Sequence, residues 1–291
     1  MGLVTCHEKQ IVTLTRKLMA EFQEAMRRVM RARKVLPSIS EHGSASFAAA
    51  AAVGPAPMAP GGSPRVVPET SLAPLEWDVF FDKKLDVSIS EQDIFCVYTK
   101  GDAGPMFFLL HGGGYSGLTW ACLTEELSTL AQCRIVAPDL RGHGNTVTAD
   151  ELDLSTERQI EDIVAIHKKI CGDESVPTIV VGHSMGGALA VHAVASGRIK
   201  DAVALTVIDV VEGTAMEALN TMKHFLRNRP QKFGTVGAAI EWCSKSGTAK
   251  NVRAAQVSMP AQIRKIGDVS IFVCILDLLS FSYVFAYLQM Q

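Results

Sequence analysis

The chain has 291 residues, with 28 Lys and Arg against 30 Asp and Glu, a net charge of −2 and 48% hydrophobic residues. That composition is globular, allows one large α/β domain or two small ones, and lacks the basic excess of a nucleic-acid binder. The cysteines at 6, 96, 122, 133, 171, 243 and 274 are scattered without a Cys-x-x-Cys pair, which excludes a disulfide framework or zinc module and favours a reducing compartment, cytoplasm or nucleus.

Residues 1–36 form a first region. Met1 to Gln10 lacks the apolar run of a secretory signal. Over 8–36, Ile11, Leu14, Leu18, Phe22, Ala25 and Val29 recur at helical spacing, with Arg16, Lys17, Arg27, Arg28 and Arg31 on the other faces. Such a helix is a surface or partner-packed element. The alternative, a membrane-touching or transit helix, is weakened by Glu8, Glu21 and Glu24. Residues 37–73 are rich in Ala, Gly, Pro and Ser and read as a flexible linker, so folding is expected to begin near Pro74.

In 74–260, Leu85, Val87 and Ile89 alternate with polar residues and Ile94 to Thr99 follows as a second strand, together a hairpin. The apolar runs Met106 to Leu110, Arg134 to Pro138, Thr178 to Val181 and Val203 to Ile208 fit strands buried on both faces of a parallel sheet. Helical stretches near 117–130, 156–171 and 186–197 separate them. This alternation predicts an α/β fold with a predominantly parallel sheet.

Three features carry chemistry. Gly182-His183-Ser184-Met185-Gly186 lies directly after a strand and directly before a helical run. In that context Gly-x-Ser-x-Gly is a strained turn that lifts the serine hydroxyl above the sheet at a helix N-terminus. Ser184 is the candidate nucleophile. His111-Gly112-Gly113-Gly114 follows the strand Met106–Leu110. Acyl transfer needs backbone N–H groups aimed at a tetrahedral oxyanion, and Gly113 and Met185 are the candidate donors. His111 is expected to fix the loop, although the same glycines could make a phosphate-binding or merely tight turn. Asp209 ends the strand Val203–Ile208, where a carboxylate can orient a histidine; a helix N-cap is the competing role. Asp139 also ends a strand, but the following Arg141-Gly-His143-Gly suggests a structural turn with an Asp–Arg pair.

The elbow, the His-Gly-Gly-Gly turn and the block Gln132-Cys-Arg-Ile-Val-Ala-Pro-Asp-Leu-Arg-Gly-His-Gly144 resemble the α/β-hydrolases. More narrowly, Val207-Ile-Asp-Val-Val-Glu-Gly-Thr-Ala-Met216, Phe225-Leu-Arg-Asn-Arg-Pro230 and Ala239-Ile-Glu-Trp242 resemble the protein phosphatase methylesterases, over a span from about Pro74 to about Met259. The resemblance implies a serine carboxylesterase with Asp209 as triad acid and no metal or organic cofactor. It also implies the C-terminal leucine methyl ester of the protein phosphatase 2A catalytic subunit as substrate, with that subunit as binding partner.

One departure is visible. The triad order in this fold is Ser, Asp, His, yet His224 alone among the eight histidines follows Asp209, inside a helical run at 215–227 that resembles the start of a cap. Residues 261–291 do not resemble the family, and 269–288 is apolar enough to span a bilayer but for Asp277. The expectation is a fold cut short after about six strands, its last strand an exposed apolar edge, with a tail that is unrelated sequence, a membrane anchor or a replacement for missing strands. A phosphatase-binding protein impaired in turnover is the alternative function.

Overall fold

The computed structural model describes residues 16–25, 27–28, 72–209, 230, 232–265 and 272–274. The chain enters the sheet through β1 (Lys83–Ser88) and β2 (Ile94–Lys100), which pair antiparallel in full register from Lys83↔Thr99 to Ser88↔Ile94. This is the expected hairpin. β3 (Met106–Leu110), β4 (Arg134–Pro138), β5 (Thr178–His183) and β6 (Ala202–Ile208) complete a six-stranded sheet in the order β1-β2-β4-β3-β5-β6. β4 pairs antiparallel with β2 and parallel with β3; β3–β5 and β5–β6 are also parallel. All five residues of β3 are buried, as a strand covered on both faces must be.

Helices cover both faces. On one lie α1 (16–25) and α2 (Ala121–Leu130); on the other lie α3 (Thr156–Cys171) and α4 (Met185–Ala195). The hydrophobic stripe of α1 does not wait for another protein. Leu18, Phe22 and Ala25 are buried against the sheet, the Phe22 ring lies 6.0 Å from that of Phe107, and the Thr206 hydroxyl of β6 reaches Met19 Sδ at 3.6 Å. Arg28 adds an ion pair to Glu126 of α2 at 3.8 Å.

β6 is the edge of the main sheet among the described residues. Leu205 and Val207 are 36% and 40% exposed, while Val203, Ala204 and Ile208 pack into the core shared with α1. One face of the expected apolar edge is therefore covered by the chain's own N-terminal helix.

A smaller unit follows. α5 (Val236–Lys245) is capped by Thr235, whose hydroxyl accepts the Ala238 N–H, and α6 (Val252–Ser258) by Asn251, which accepts from Arg253 and Ala254. β7 (Lys232–Phe233), β8 (Ile263–Lys265) and β9 (Phe272–Cys274) form a sheet in the order β7-β9-β8. The boundary expected at 260/261 falls inside this unit, because β8 and β9 belong to the stretch read as a separate tail. Backbone pairing of β9 with strands on both sides links sequence ends that composition alone separates.

α6 ties the two parts together. Val257 is buried in the main core, Ala255 and Met259 in the small one. Arg253 donates two hydrogen bonds to Glu125 of α2, at 2.6 and 2.9 Å, and its guanidinium lies 4.7 Å from the Phe80 ring centre. Leu72 packs into the small core, and the Leu75 N–H reaches the Gln256 carbonyl at 3.1 Å, so residues on both sides of Pro74 contact the small unit. No described helix is long and apolar enough to cross a membrane. Residues 29–71, 210–229 and most of 269–288 lie outside the described residues, and with them the linker, His224 and the candidate anchor.

Candidate active site

β5 ends in a tight turn. Ser184 has φ 51 and ψ −118, and it is followed at once by α4. A side chain at Gly182 would collide with the backbone of Gly186 and Gly187, and one at Gly186 with the carbonyls of Leu110 and His111. The spacing of the two glycines around the serine is thus a steric requirement. Two bonds close the elbow: the Ser184 carbonyl accepts the Gly187 and Ala188 N–H groups at 2.9 and 3.1 Å. The Ser184 N–H is donated sideways to Ile208 at 2.9 Å, fixing the turn to the end of β6.

Asp209 follows directly, also at positive φ, 54, and is exposed among the described residues. Since His183 pairs with Ile208 in register, the carboxylate emerges beside the elbow. The two are also coupled electrostatically. Burial lowers the proton affinity of His183, and the Asp209 charge opposes that shift.

The His-Gly-Gly-Gly turn sits against the other side of the elbow. Leu110 pairs with Gly182, and the Gly112 backbone approaches His183 so closely that a Cβ there would lie 2.8 Å from Nδ1. Tyr115 meets the His183 ring edge-on at 5.9 Å. Neither the Gly113 N–H nor the Met185 N–H, the first of a helix, is spent on a hydrogen bond among the described residues. Both candidate donors therefore lie on turns that abut Ser184.

Two buried histidines hold this turn. His111 Nε2 accepts the Leu140 N–H at 2.9 Å, so its proton is on Nδ1, which donates to the Gly112 carbonyl at 2.8 Å. His143 Nε2 accepts the Gly114 N–H at 3.0 Å, and its Nδ1–H donates to the Arg141 carbonyl at 2.7 Å. The rings meet edge to face at 4.9 Å. Burial holds His111 well below the usual imidazole range and His143 down to about 4, so both are neutral at pH 7.

The loop after β4 corrects one expectation. Asp139 does not pair with Arg141. Its carboxylate accepts the Gly117 and Asn145 N–H groups at 2.7 and 2.8 Å, and burial nevertheless raises it to about 6. Arg141 instead donates two hydrogen bonds to Asp162 of α3, at 2.7 and 2.9 Å, and lies 3.4 Å from Asp93. Arg158 joins both carboxylates at 3.1 and 3.2 Å. The neighbouring Cys96 thiol is pushed up to about 12 by burial and the Asp139 charge, which removes it as a nucleophile. Sequence reasoning missed His143 and the acids at 93 and 162; the Arg-Gly-His-Gly run was a signal for the first, and nothing local marked the others. Among the described residues no group of His, Cys, Asp or Glu is arranged to hold a metal ion.

A strand–turn–helix serine at the carboxyl end of a mainly parallel sheet, facing a glycine-rich turn, is the arrangement of a hydrolase. The profile of the alpha/beta hydrolase family matches residues 107–267, and the chain belongs to that family. Among individual proteins, it is similar to probable protein phosphatase methylesterase 1 of Caenorhabditis elegans, 56% identical over 215 residues that make up 71% of this chain and 59% of that protein. Protein phosphatase methylesterase 1 of Homo sapiens is 43% identical over 201 residues, 68% of this chain and 52% of that one. The chain thus spans about half the length of the curated relatives it matches. The fold is also that of E-2-(acetamidomethylene)succinate hydrolase, at TM-score 0.54 and 20% identity over 71% of this chain and 73% of that one. The thioesterase domain of the curacin biosynthetic pathway matches at TM-score 0.51 and 22% identity, over 71% and 78%.

Proposed function

We propose that the chain carries the nucleophile and oxyanion half of a serine carboxylesterase acting on a protein C-terminal methyl ester, that of the leucine ending the protein phosphatase 2A catalytic subunit. The observation that carries the reaction class is Ser184 in its strained elbow, against which the glycine-rich turn packs, with Gly113 and Met185 N–H groups that no described residue accepts. The substrate rests on the likeness to proteins named protein phosphatase methylesterase 1 and on the Val207–Met216 stretch.

In this reading the Ser184 oxygen attacks the ester carbonyl while a histidine base takes its proton. Charge collects on the carbonyl oxygen, where the N–H groups of Gly113 and Met185 stabilise it. Collapse expels methanol, which receives the proton, and leaves an acyl-serine; water then attacks the same carbon and restores the serine and a free carboxylate. Asp209 orients the base and balances the imidazolium.

A second reading, phosphatase binding with little turnover, is favoured by one observation. His111 and His143, the histidines that hold the glycine-rich turn, spend both ring nitrogens on backbone groups and are not available as the base. The test is to incubate the chain with carboxymethylated phosphatase 2A catalytic subunit and follow the methyl ester by mass spectrometry. Demethylation lost in Ser184→Ala supports the esterase. Capture of the subunit without demethylation supports the binding reading, and neither would sink both.

A further inference from the structure

We propose that His143 is a positioning residue for the esterase, acting with His111 to lock the two peptide planes on either side of Gly113 so that the Gly113 N–H faces the acyl oxygen. The inference rests on the esterase reading for its purpose, but its geometry stands alone. In a trans peptide the C=O and the next N–H point in opposite directions. The Gly112 carbonyl is held on one side by His111 Nδ1–H at 2.8 Å and by the Tyr115 N–H at 3.2 Å, which directs the Gly113 N–H to the other. The following plane is held by His143 Nε2 through the Gly114 N–H at 3.0 Å, which fixes the Gly113 carbonyl as well. Gly114 has φ 77, where glycine is free to rotate and would not hold the plane by itself.

The brace is reciprocal. The β3 turn lends His111 to the Leu140 N–H of the β4 loop, and the β4 loop lends His143 to the Gly114 N–H of the β3 turn. Each Nε2 faces a backbone donor, so each ring works only as a neutral Nδ1–H tautomer. Burial of both rings keeps them so. Arg141 closes the chain, because its carbonyl takes the His143 Nδ1 proton while its guanidinium is anchored on Asp162. A carbonyl flipped towards the oxyanion would repel it, so losing the acceptor at 143 damages the transition state more than substrate binding.

The test compares the 291-residue chain with His143→Leu, which removes the acceptor, and His143→Gln, whose Oε1 reaches the Nε2 position. Ser184 is titrated with a fluorophosphonate under conditions that separate the maximal labelling rate from the apparent affinity. The leucine variant should lose about 10²-fold in labelling rate with affinity changed less than about 3-fold, and the glutamine variant should recover most of it. Wild-type rate in the leucine variant, or no recovery with glutamine, overturns the proposal. If the parent chain does not label at all, the esterase reading fails, and the scalar coupling between the Gly114 amide and His143 Nε2 in 15N-labelled protein decides the brace: its presence supports the positioning, its absence overturns it.

Discussion

Ser184 and Asp209 directly follow neighbouring parallel strands, both at positive φ, 51 and 54, and are tied by the Ser184 N–H bond to Ile208 at 2.9 Å. Outside glycine a positive φ costs about 1 kcal/mol or more and persists where packing over-determines it. The sheet supplies the restraint, since β5 and β6 pair from Ile179↔Ala204 to His183↔Ile208. Gly186→Ala should break this arrangement, because its Cβ would run into the Leu110 and His111 carbonyls. The expected result is a fall in melting temperature together with loss of Ser184 labelling, read by calorimetry and by probe.

The Arg141–Asp162 pair is nearly solvent-free, with both side chains 2% exposed. Arg141→Met would strand the Asp162 carboxylate, leaving it only the peripheral Arg158, and should cost about 3–5 kcal/mol in urea unfolding. Arg141→Met combined with Asp162→Leu removes both charges and should recover a large part of that loss. If the losses simply add, the pair is not a coupled unit.

Acid should act on the two loops with opposite signs. The folded His143 titrates near about 4, below the unfolded value near 6.5, so the unfolded chain binds the proton first and stability is lost as pH falls through that window. Asp139, raised to about 6 from 3.8, does the reverse: its buried charge is relieved on acidification, and stability is gained as pH falls from about 6 towards 4. Relative to the parent, His143→Gln should therefore remove about 1.4 kcal/mol of acid-induced loss per pH unit between pH 6 and 4.5, whereas Asp139→Asn should add a similar loss. Urea titrations at three pH values measure both slopes, and equal slopes in all three proteins would contradict the assignment.

The helix 16–25 should be part of the folded unit. Phe22 is 3% exposed and packed on Phe107, so Phe22→Ala should cost about 3 kcal/mol and expose the covered face of β6. Hydrogen exchange should then rise in β6. Unchanged protection in β6 would mean that the helix adds little to the sheet.

Much of the central sheet was legible in the sequence because its signals are local. Met106–Leu110 and Thr178–Val181 are unbroken apolar runs of strand length, and Gly182, Ser184 and Gly186 answer to sterics within one turn. What was not legible depends on partners far along the chain. Arg141 finds Asp162 21 residues away and Asp93 48 residues away, and nothing in Asp139-Leu-Arg141 says that the adjacent aspartate prefers backbone N–H groups. His143 read as part of a turn because its acceptor role exists only once β3 and β4 lie side by side. The small sheet escaped notice for the same reason, since two-residue and three-residue strands carry no periodicity.

The most direct measurement of the central claim is to treat the chain with a fluorophosphonate probe, digest it and locate the adduct by mass spectrometry. One phosphonylated residue, Ser184, with the signal abolished in Ser184→Ala and retained in Asp139→Asn, is the predicted result. An adduct elsewhere, or labelling that survives Ser184→Ala, would contradict Ser184 as the nucleophile.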